Sequence, residues 1–434
     1  MLKLFPLTTK ISNGHITIGG CDTTELAAGF GTPLYIFDET TLRSKCAEYR
    51  EAFEKRYPDS VISYACKAYL NRALAQIFDQ EGLSLDVVSG GELAIARAAG
   101  FPMERVHFNG NNKSRQDLDL AIECGIGRII VDNFYEISLL DRIAGEADVQ
   151  QEILLRISPG IDPHTHAHLT TGNVDSKFGF PMTQAEEAIA AAMSCSSLNP
   201  VGLHFHIGSQ IFDLTPYIQA INAVMDFADV MRAKYNFNLQ ELSTGGGLGI
   251  AYSSESVPPT VGDFADTITV TVTERCASLG FELPKLIVEP GRSIIGQAGV
   301  ALYTVGAIKD IEGVRKYVSV DGGMSDNIRP SLYDAKYEAM VANKAEKHPA
   351  VEFERITIAG KYCESGDILI KDIDLPKVEP GDLIAVPCCG AYCLSMASNY
   401  NAALKPAIVL VKDGNARLIR RRETYEDLTS CDTV

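Results

Sequence analysis

Between Val61 and Gly291 the chain repeats one pattern eight times: a short apolar run rich in β-branched residues, then a stretch with helical periodicity. The runs are "VISYACK" from Val61, "LSLDVVSG" from Leu83, "RVHFNG" from Arg105, "RIIVDN" from Arg128, "EILLRISPG" from Glu152, "VGLHFHIG" from Val201, "ELSTGGG" from Glu241 and "KLIVEPG" from Lys285. Segments such as "GGELAIARAAG", "SRQDLDLAIECG" and "TQAEEAIAAAMS" fill the gaps. Repeated strand–helix alternation of this kind predicts a (β/α)8 barrel of the TIM type, an α/β fold.

After Gly291 the texture changes to strands without long helices, among them "VALYTVGAIKD", "KYVSVDGG", "FERITIAGKYC", "DILIKDIDL", "DLIAVPC" and "AIVLVKDG". They predict a second, mostly antiparallel β domain of barrel or sandwich type. The expected division is a barrel over residues 33–290 and a β domain from residues 1–32 and 291–434. The early strand-like run "GHITIGG" is expected to pair with that β domain.

Charge and thiols narrow the function classes. Lys plus Arg is 39 against 56 for Asp plus Glu, a formal charge of −17, which disfavours nucleic acid and anionic membranes as partners. An anionic ligand therefore needs a local site. There are 11 cysteines, an odd number, and the start "MLKLFPLTTK" lacks the apolar core of a secretory signal. The expectation is reduced thiols and a cytoplasmic location. No apolar run reaches the roughly 18 residues of a membrane-spanning helix. "CCGAYC" (Cys388, Cys389, Cys393) suggests a metal, but no second Cys or His pair follows at zinc spacing, so no metal is expected.

Reactive groups in such a barrel collect at the C-terminal ends of the strands. In order, those ends carry Lys67, Asp86 with Ser89, Asn109, Asp132, Arg156, His204 with His206 and Ser209, Gly245 to Gly247, and Glu289 with Arg292. Any one of them reads as a solvated terminus; eight in register are harder to dismiss. Lys67 is the odd one, an ammonium closing an apolar strand. "STGGGLG" offers bare backbone N–H groups to a phosphate, and "EPGR" adds Arg292. A lysine, a phosphate cradle and a spare carboxylate together suggest pyridoxal 5'-phosphate. The lysine would form a Schiff base, and Glu289 would keep the pyridine nitrogen protonated. His206 would lie against the ring. "HTHAH" (His164, His166, His168) and "HFH" (His204, His206) raise a metal-dependent hydrolase as the competitor. Order argues against it, because in such hydrolases the His-x-His pair closes the first strand ahead of the lysine.

These residues sit in motifs that resemble the diaminopimelate decarboxylases, within the alanine racemase-like, fold type III group of pyridoxal-phosphate enzymes. The motifs are "YACKAYLN", "LDVVSGGEL", "HFNGNNKS", "HTHAHLTTGNVDSKFGF", "GLHFHIGSQI", "STGGGLG", "VEPGRSI", "VDGGMSDNIRPSLYDA", "CESGDIL" and "CCGAYCLSMASNYN". They span nearly the whole chain. Departures are "KAYLN" where the family commonly has "KANxN", and "GAYCLSM" where "GAYGFSM" is usual.

The resemblance implies Lys67 as Schiff-base lysine and Cys363 as proton donor. It implies cofactor contacts from Asp86, His206, Ser209, Gly246, Gly247, Glu289, Gly291, Arg292 and Tyr392. Arg292, Arg329, Tyr333, Glu364 and Tyr392 would bind substrate, with Cys363 and Glu364 arriving from the second subunit of a homodimer. The implied reaction is decarboxylation of meso-2,6-diaminopimelate to L-lysine, the last step of lysine biosynthesis. Arg329 and Glu364 suit a substrate whose distal end carries both a carboxylate and an amine. The remaining rivals are a sister decarboxylase acting on ornithine, lysine or arginine, and a non-catalytic cofactor-binding relative.

Overall fold

A computed structural model describes residues 1–161, 176–346 and 352–433. The chain forms two compact units, one made of Cys46–Gly249 and Pro258–Gly291, the other of Met1–Lys45, Ile250–Val257 and Arg292–Val434.

The first unit is the expected barrel. Its strands are Ser60–Ala65, Ser84–Val87, Val106–Phe108, Arg128–Val131, Gln151–Ser158, Leu198–His204, Glu241–Ser243 and Lys285–Val288, all paired in parallel. Pairing of Lys285–Val288 with Ser60–Ala65 closes the ring. The interior packs Ile130, Leu154, Val201 and Ile287 against Val61. Helices cover the outside, so strands such as Arg128–Val131 are buried over Ile129, Ile130 and Val131, which is why they read as apolar runs.

The first four strand ends hand over to capped helices. Asn71 caps Arg72–Gln80, Ser89 caps Gly90–Ala99, Ser114 forms a capping box on Arg115–Cys124, and Asn133 caps Phe134–Glu146. Each cap is worth about 1 kcal/mol. Their position a few residues past a polar strand end fixes where the barrel stops and the helix starts. At the opposite end the guanidinium of Arg128 makes two bonds to Glu241, at 2.8 and 2.7 Å.

The second unit is built on one large sheet. Its order is Ile368–Pro376, Phe353–Ala359, Arg315–Val320, Gly299–Ile311, Leu34–Asp38, Ala407–Lys412 and Asn415–Arg420, with Leu383–Val386 also on the long central strand. Most pairings are antiparallel; Arg315–Val320 with Phe353–Ala359 and Leu34–Asp38 with Ala407–Lys412 are parallel.

One boundary expectation needs correction. Leu34–Asp38, placed in the barrel from the sequence, lies in this sheet between Gly299–Ile311 and Ala407–Lys412, so the division falls after Lys45 and not at residue 33. A strand buried on both faces has the same apolar signature in either domain. "GHITIGG" falls in the β unit, as expected. His15–Ile18 forms a separate three-stranded antiparallel sheet with Lys10–Ser12 and Cys21–Asp22, and contributes Ile16 and Ile18 to the core beside Leu34 and Val300. Among the described residues no helix is long and apolar enough to cross a membrane.

Candidate active site

Lys67 stands on the single turn Cys66–Ala68 that follows the first barrel strand, half-buried. It lines a cavity of about 530 Å³ together with Asn109, Arg156, His204, His206 and Glu289, the ends of strands one, three, five, six and eight. Gly291 makes room for the turn: a Cβ there would stand 3.1 Å from the Cβ and carbonyl oxygen of Ala65 and 3.2 Å from Ala68.

Glu289 is the most organised carboxylate in the cavity. Ser243 Oγ donates to Oε1 at 2.7 Å and His204 Nε2 to Oε2 at 3.1 Å. Burial works to raise its pKa, but His204, Ser243 and the Lys67 ammonium outweigh it and hold the group far below the usual carboxylate range. Asp86 is the opposite case. Burial, then repulsion from Glu289, pushes it up to about 8 against the pull of Lys67 and the bond from Asn109 Nδ2 at 2.5 Å. One carboxylate is fixed as an anion and its neighbour is biased toward the acid. Oδ2 of Asp86 has no hydrogen-bond partner among the described residues.

His206 follows the sixth strand, and its Nδ1 accepts from the Gly246 N–H at 3.2 Å. Burial first, then the Lys67 and Arg156 charges, hold its pKa well below the ordinary histidine value. It is therefore a neutral imidazole with its proton on Nε2. The glycine run is required by space as well as by conformation. At Gly247, φ is +117° and a Cβ would meet the Gly208 carbonyl oxygen at 2.5 Å. Ile211 N–H donates to the Gly247 carbonyl at 3.0 Å, tying the loop that carries the exposed Ser209 to the glycine turn. Arg156 lies 3.7 Å from Asp132, with its guanidinium 4.5 Å from the Phe178 ring centroid.

A second cluster belongs to the β unit. Nη1 of Arg292 donates to the Tyr252 hydroxyl at 2.7 Å, and its guanidinium lies 4.6 Å from the Tyr392 ring centroid. Tyr392 has φ of +61°, an outlier for an aromatic residue that points to function. Arg329 is only 7% exposed. It donates to the Tyr337 hydroxyl and lies 4.6 Å from the Tyr252 ring centroid. Tyr333, on the same short helix, is exposed, as are Cys363 and Glu364. The Cys363 N–H donates to Asn401 Oδ1 at 3.0 Å, while Glu364 accepts from Ser365 Oγ and Gly366 N.

The barrel thus brings together Lys67, Asp86, His206 and Glu289 with the glycines, and the β unit brings together Arg292, Arg329 and Tyr392. Sequence reasoning missed Ser243, hidden inside a motif read as a glycine turn, and missed Tyr252 and Tyr337. It also gave His204 to a metal-like pair, whereas its Nε2 serves Glu289. His164, His166 and His168 lie outside the described residues. Among those described, no three His, Cys, Asp or Glu side chains group as a metal site.

Comparison with known proteins gives one consistent picture. Residues 40–296 match the family model for the pyridoxal binding domain of pyridoxal-dependent decarboxylases. The diaminopimelate decarboxylase of Bacillus subtilis is 48% identical over 97% of this chain and 95% of its own. The crystal structure of diaminopimelate decarboxylase from M. jannaschii in complex with L-lysine superposes with a TM-score of 0.92 at 38% identity, covering 99% of this chain and 98% of that one. The Helicobacter pylori enzyme, also complexed with L-lysine, gives 0.84 at 35% identity over 94% and 98%.

Proposed function

The chain belongs to the diaminopimelate decarboxylase family of pyridoxal-dependent enzymes, and from that premise we propose that it releases CO2 from meso-2,6-diaminopimelate and leaves L-lysine, with pyridoxal 5'-phosphate as cofactor. The observation that carries this reading is the Lys67 amine in the same cavity as a carboxylate, Glu289, that His204 and Ser243 keep ionised.

The residues present fit the cofactor. Lys67 would hold its aldehyde carbon, the Gly245–Gly247 turn with Ser209 and Arg292 its phosphate, Glu289 its ring nitrogen, and His206 one face of its ring. A neutral imidazole suits that last place, since it adds no charge beside a cationic ring. Asp86, Gly291 and Tyr392 complete the set. When bound, pyridoxal phosphate supplies a sink for the electron pair left as the Cα–carboxylate bond breaks.

The chain's own groups do the rest. The buried Glu289 anion would favour a proton on the ring nitrogen, because a carboxylate that His204, Ser243 and Lys67 keep ionised offers a fixed negative charge to it. Arg292, Arg329 and Tyr333 would receive the carboxylate of the non-reacting end, and Glu364 its amine. The Cys363 S–H would supply the proton that replaces CO2 at Cα. The exposure of Cys363, Glu364 and Tyr333 in the single chain supports their being offered to a second subunit, in a homodimer with shared sites.

The test is Lys67→Ala. The parent protein, purified with pyridoxal phosphate, is expected to show visible absorbance and to release CO2 from meso-diaminopimelate, and the variant to do neither. A variant that released CO2 at the parent rate would contradict the assignment.

A further inference from the structure

Tyr252 lies in "AYSSES", a stretch without periodicity that belongs to the β unit although the barrel chain runs on either side of it. Its contacts are unusual. The hydroxyl accepts from Arg292 Nη1 at 2.7 Å, while Arg329 lies over the same ring at 4.6 Å. Tyr337 meets that ring edge-on, with centroids 5.3 Å apart and planes at 83°, and its own hydroxyl accepts from Arg329. One phenol thus touches both guanidiniums, and a second phenol holds the first in place.

The donors outnumber the acceptors. Among the described residues the groups acting on the Arg329 guanidinium are Tyr252, Tyr337 and Cys393, with no carboxylate among the chief ones, and the hydrogen bond found at the Tyr252 hydroxyl is the one it accepts from Arg292. A buried guanidinium without an anion is costly unless aromatic faces and a ligand share the charge. Burial pushes the Tyr252 phenol up to about 12 against the pull of both arginines, so it keeps its proton. The cluster is a neutral O–H donor flanked by two cations.

We infer that Tyr252 is a specificity-determining residue that completes, with Arg292 and Arg329, a receptor for the carboxylate on the substrate's non-reacting end. This rests on the proposed reaction and adds to it a donor and a spacer. The ring keeps the like-charged guanidiniums at a set separation, and the hydroxyl binds the anion between them. A simple diamine offers nothing to this receptor.

The test titrates the holoenzyme with L-lysine and with 1,5-diaminopentane, the same skeleton without the carboxylate. The parent is expected to bind L-lysine more tightly. Tyr252→Phe should weaken L-lysine about tenfold, the worth of one hydrogen bond to a charged group, and change the diamine by less than about twofold. In turnover it should raise KM for meso-diaminopimelate with kcat within about twofold. Tyr337→Phe, which frees Arg329 but leaves Tyr252 in place, should show a smaller loss with the same selectivity. Unchanged L-lysine affinity in Tyr252→Phe, or equal weakening of both ligands, would overturn the inference. The ligand ratio is measured without turnover. A parent enzyme inactive on meso-diaminopimelate would therefore sink the proposed reaction, while the ratio alone decides on Tyr252.

Discussion

His204 Nε2 donates to Oε2 of Glu289 at 3.1 Å with both side chains almost fully buried. A buried carboxylate without such donors would take up a proton and lose its charge. Glu289→Gln keeps the shape and deletes the charge; it is expected to cut kcat by about a hundredfold while the cofactor still binds. His204→Ala should be milder, about tenfold, and should change the pH profile. The Glu289 pKa is depressed, so its contribution is present above the ordinary carboxylate range and lost as pH falls through the folded value. Removing His204 raises that value, so the acid limb of the kcat profile should move to higher pH. Profiles of the two proteins side by side check this.

Asp86 should show the opposite linkage. In the cofactor-free protein its pKa is pushed up to about 8, whereas the unfolded chain ionises near the ordinary aspartate value. From about pH 4 to 8 the folded state therefore binds more protons than the unfolded one, and stability attributable to this group falls as pH rises. Asp86→Asn removes the dependence. The variant should gain a few °C in Tm over the parent at pH 8 and little or nothing at pH 5.

Lys113 and Glu136 form an ion pair at 2.7 Å with side chains 1% and 2% exposed. The ammonium also donates to the carbonyls of Gly110 and Ile130, at 2.8 Å each, and Glu136 accepts from the Asp132 N–H at 3.1 Å. Lys113→Met strands a buried carboxylate and should cost about 3–5 kcal/mol in urea unfolding at an unchanged m-value. Adding Glu136→Gln should recover part of that loss. A single variant as stable as the parent would show that the pair is not the tie between these strand ends.

The exposed Cys363 carries the proposal of a shared site. Cys363→Ala should lose at least about a hundredfold in kcat, as expected for removal of a positioned proton donor. Mixing it with Lys67→Ala under conditions of subunit exchange should restore about a quarter of parental activity, the statistical yield for a two-fold dimer with one repaired site per mixed pair. No recovery on mixing would place the thiol and the lysine in one subunit.

The barrel and its polar strand ends were legible because strands such as Ser60–Ala65 and Lys285–Val288 are buried toward their C-terminal ends, leaving apolar runs that stop just before Lys67 and Glu289. The same property hid the true boundary, since Leu34–Asp38 is equally apolar inside the β sheet. Ser243 escaped because its role depends on register: it lies opposite His204 across parallel strands, and both reach Glu289. Tyr252 and Tyr337 escaped because their partner Arg329 is remote from Tyr252 in sequence and neither tyrosine sits in a periodic segment.

The most direct test of the central claim is steady-state kinetics with meso-diaminopimelate, ornithine, lysine and arginine side by side. kcat/KM is expected to be highest for meso-diaminopimelate by at least about a hundredfold, because only that substrate places a carboxylate at the far end for Arg329 and its neighbours. A higher kcat/KM for any of the other three would contradict it.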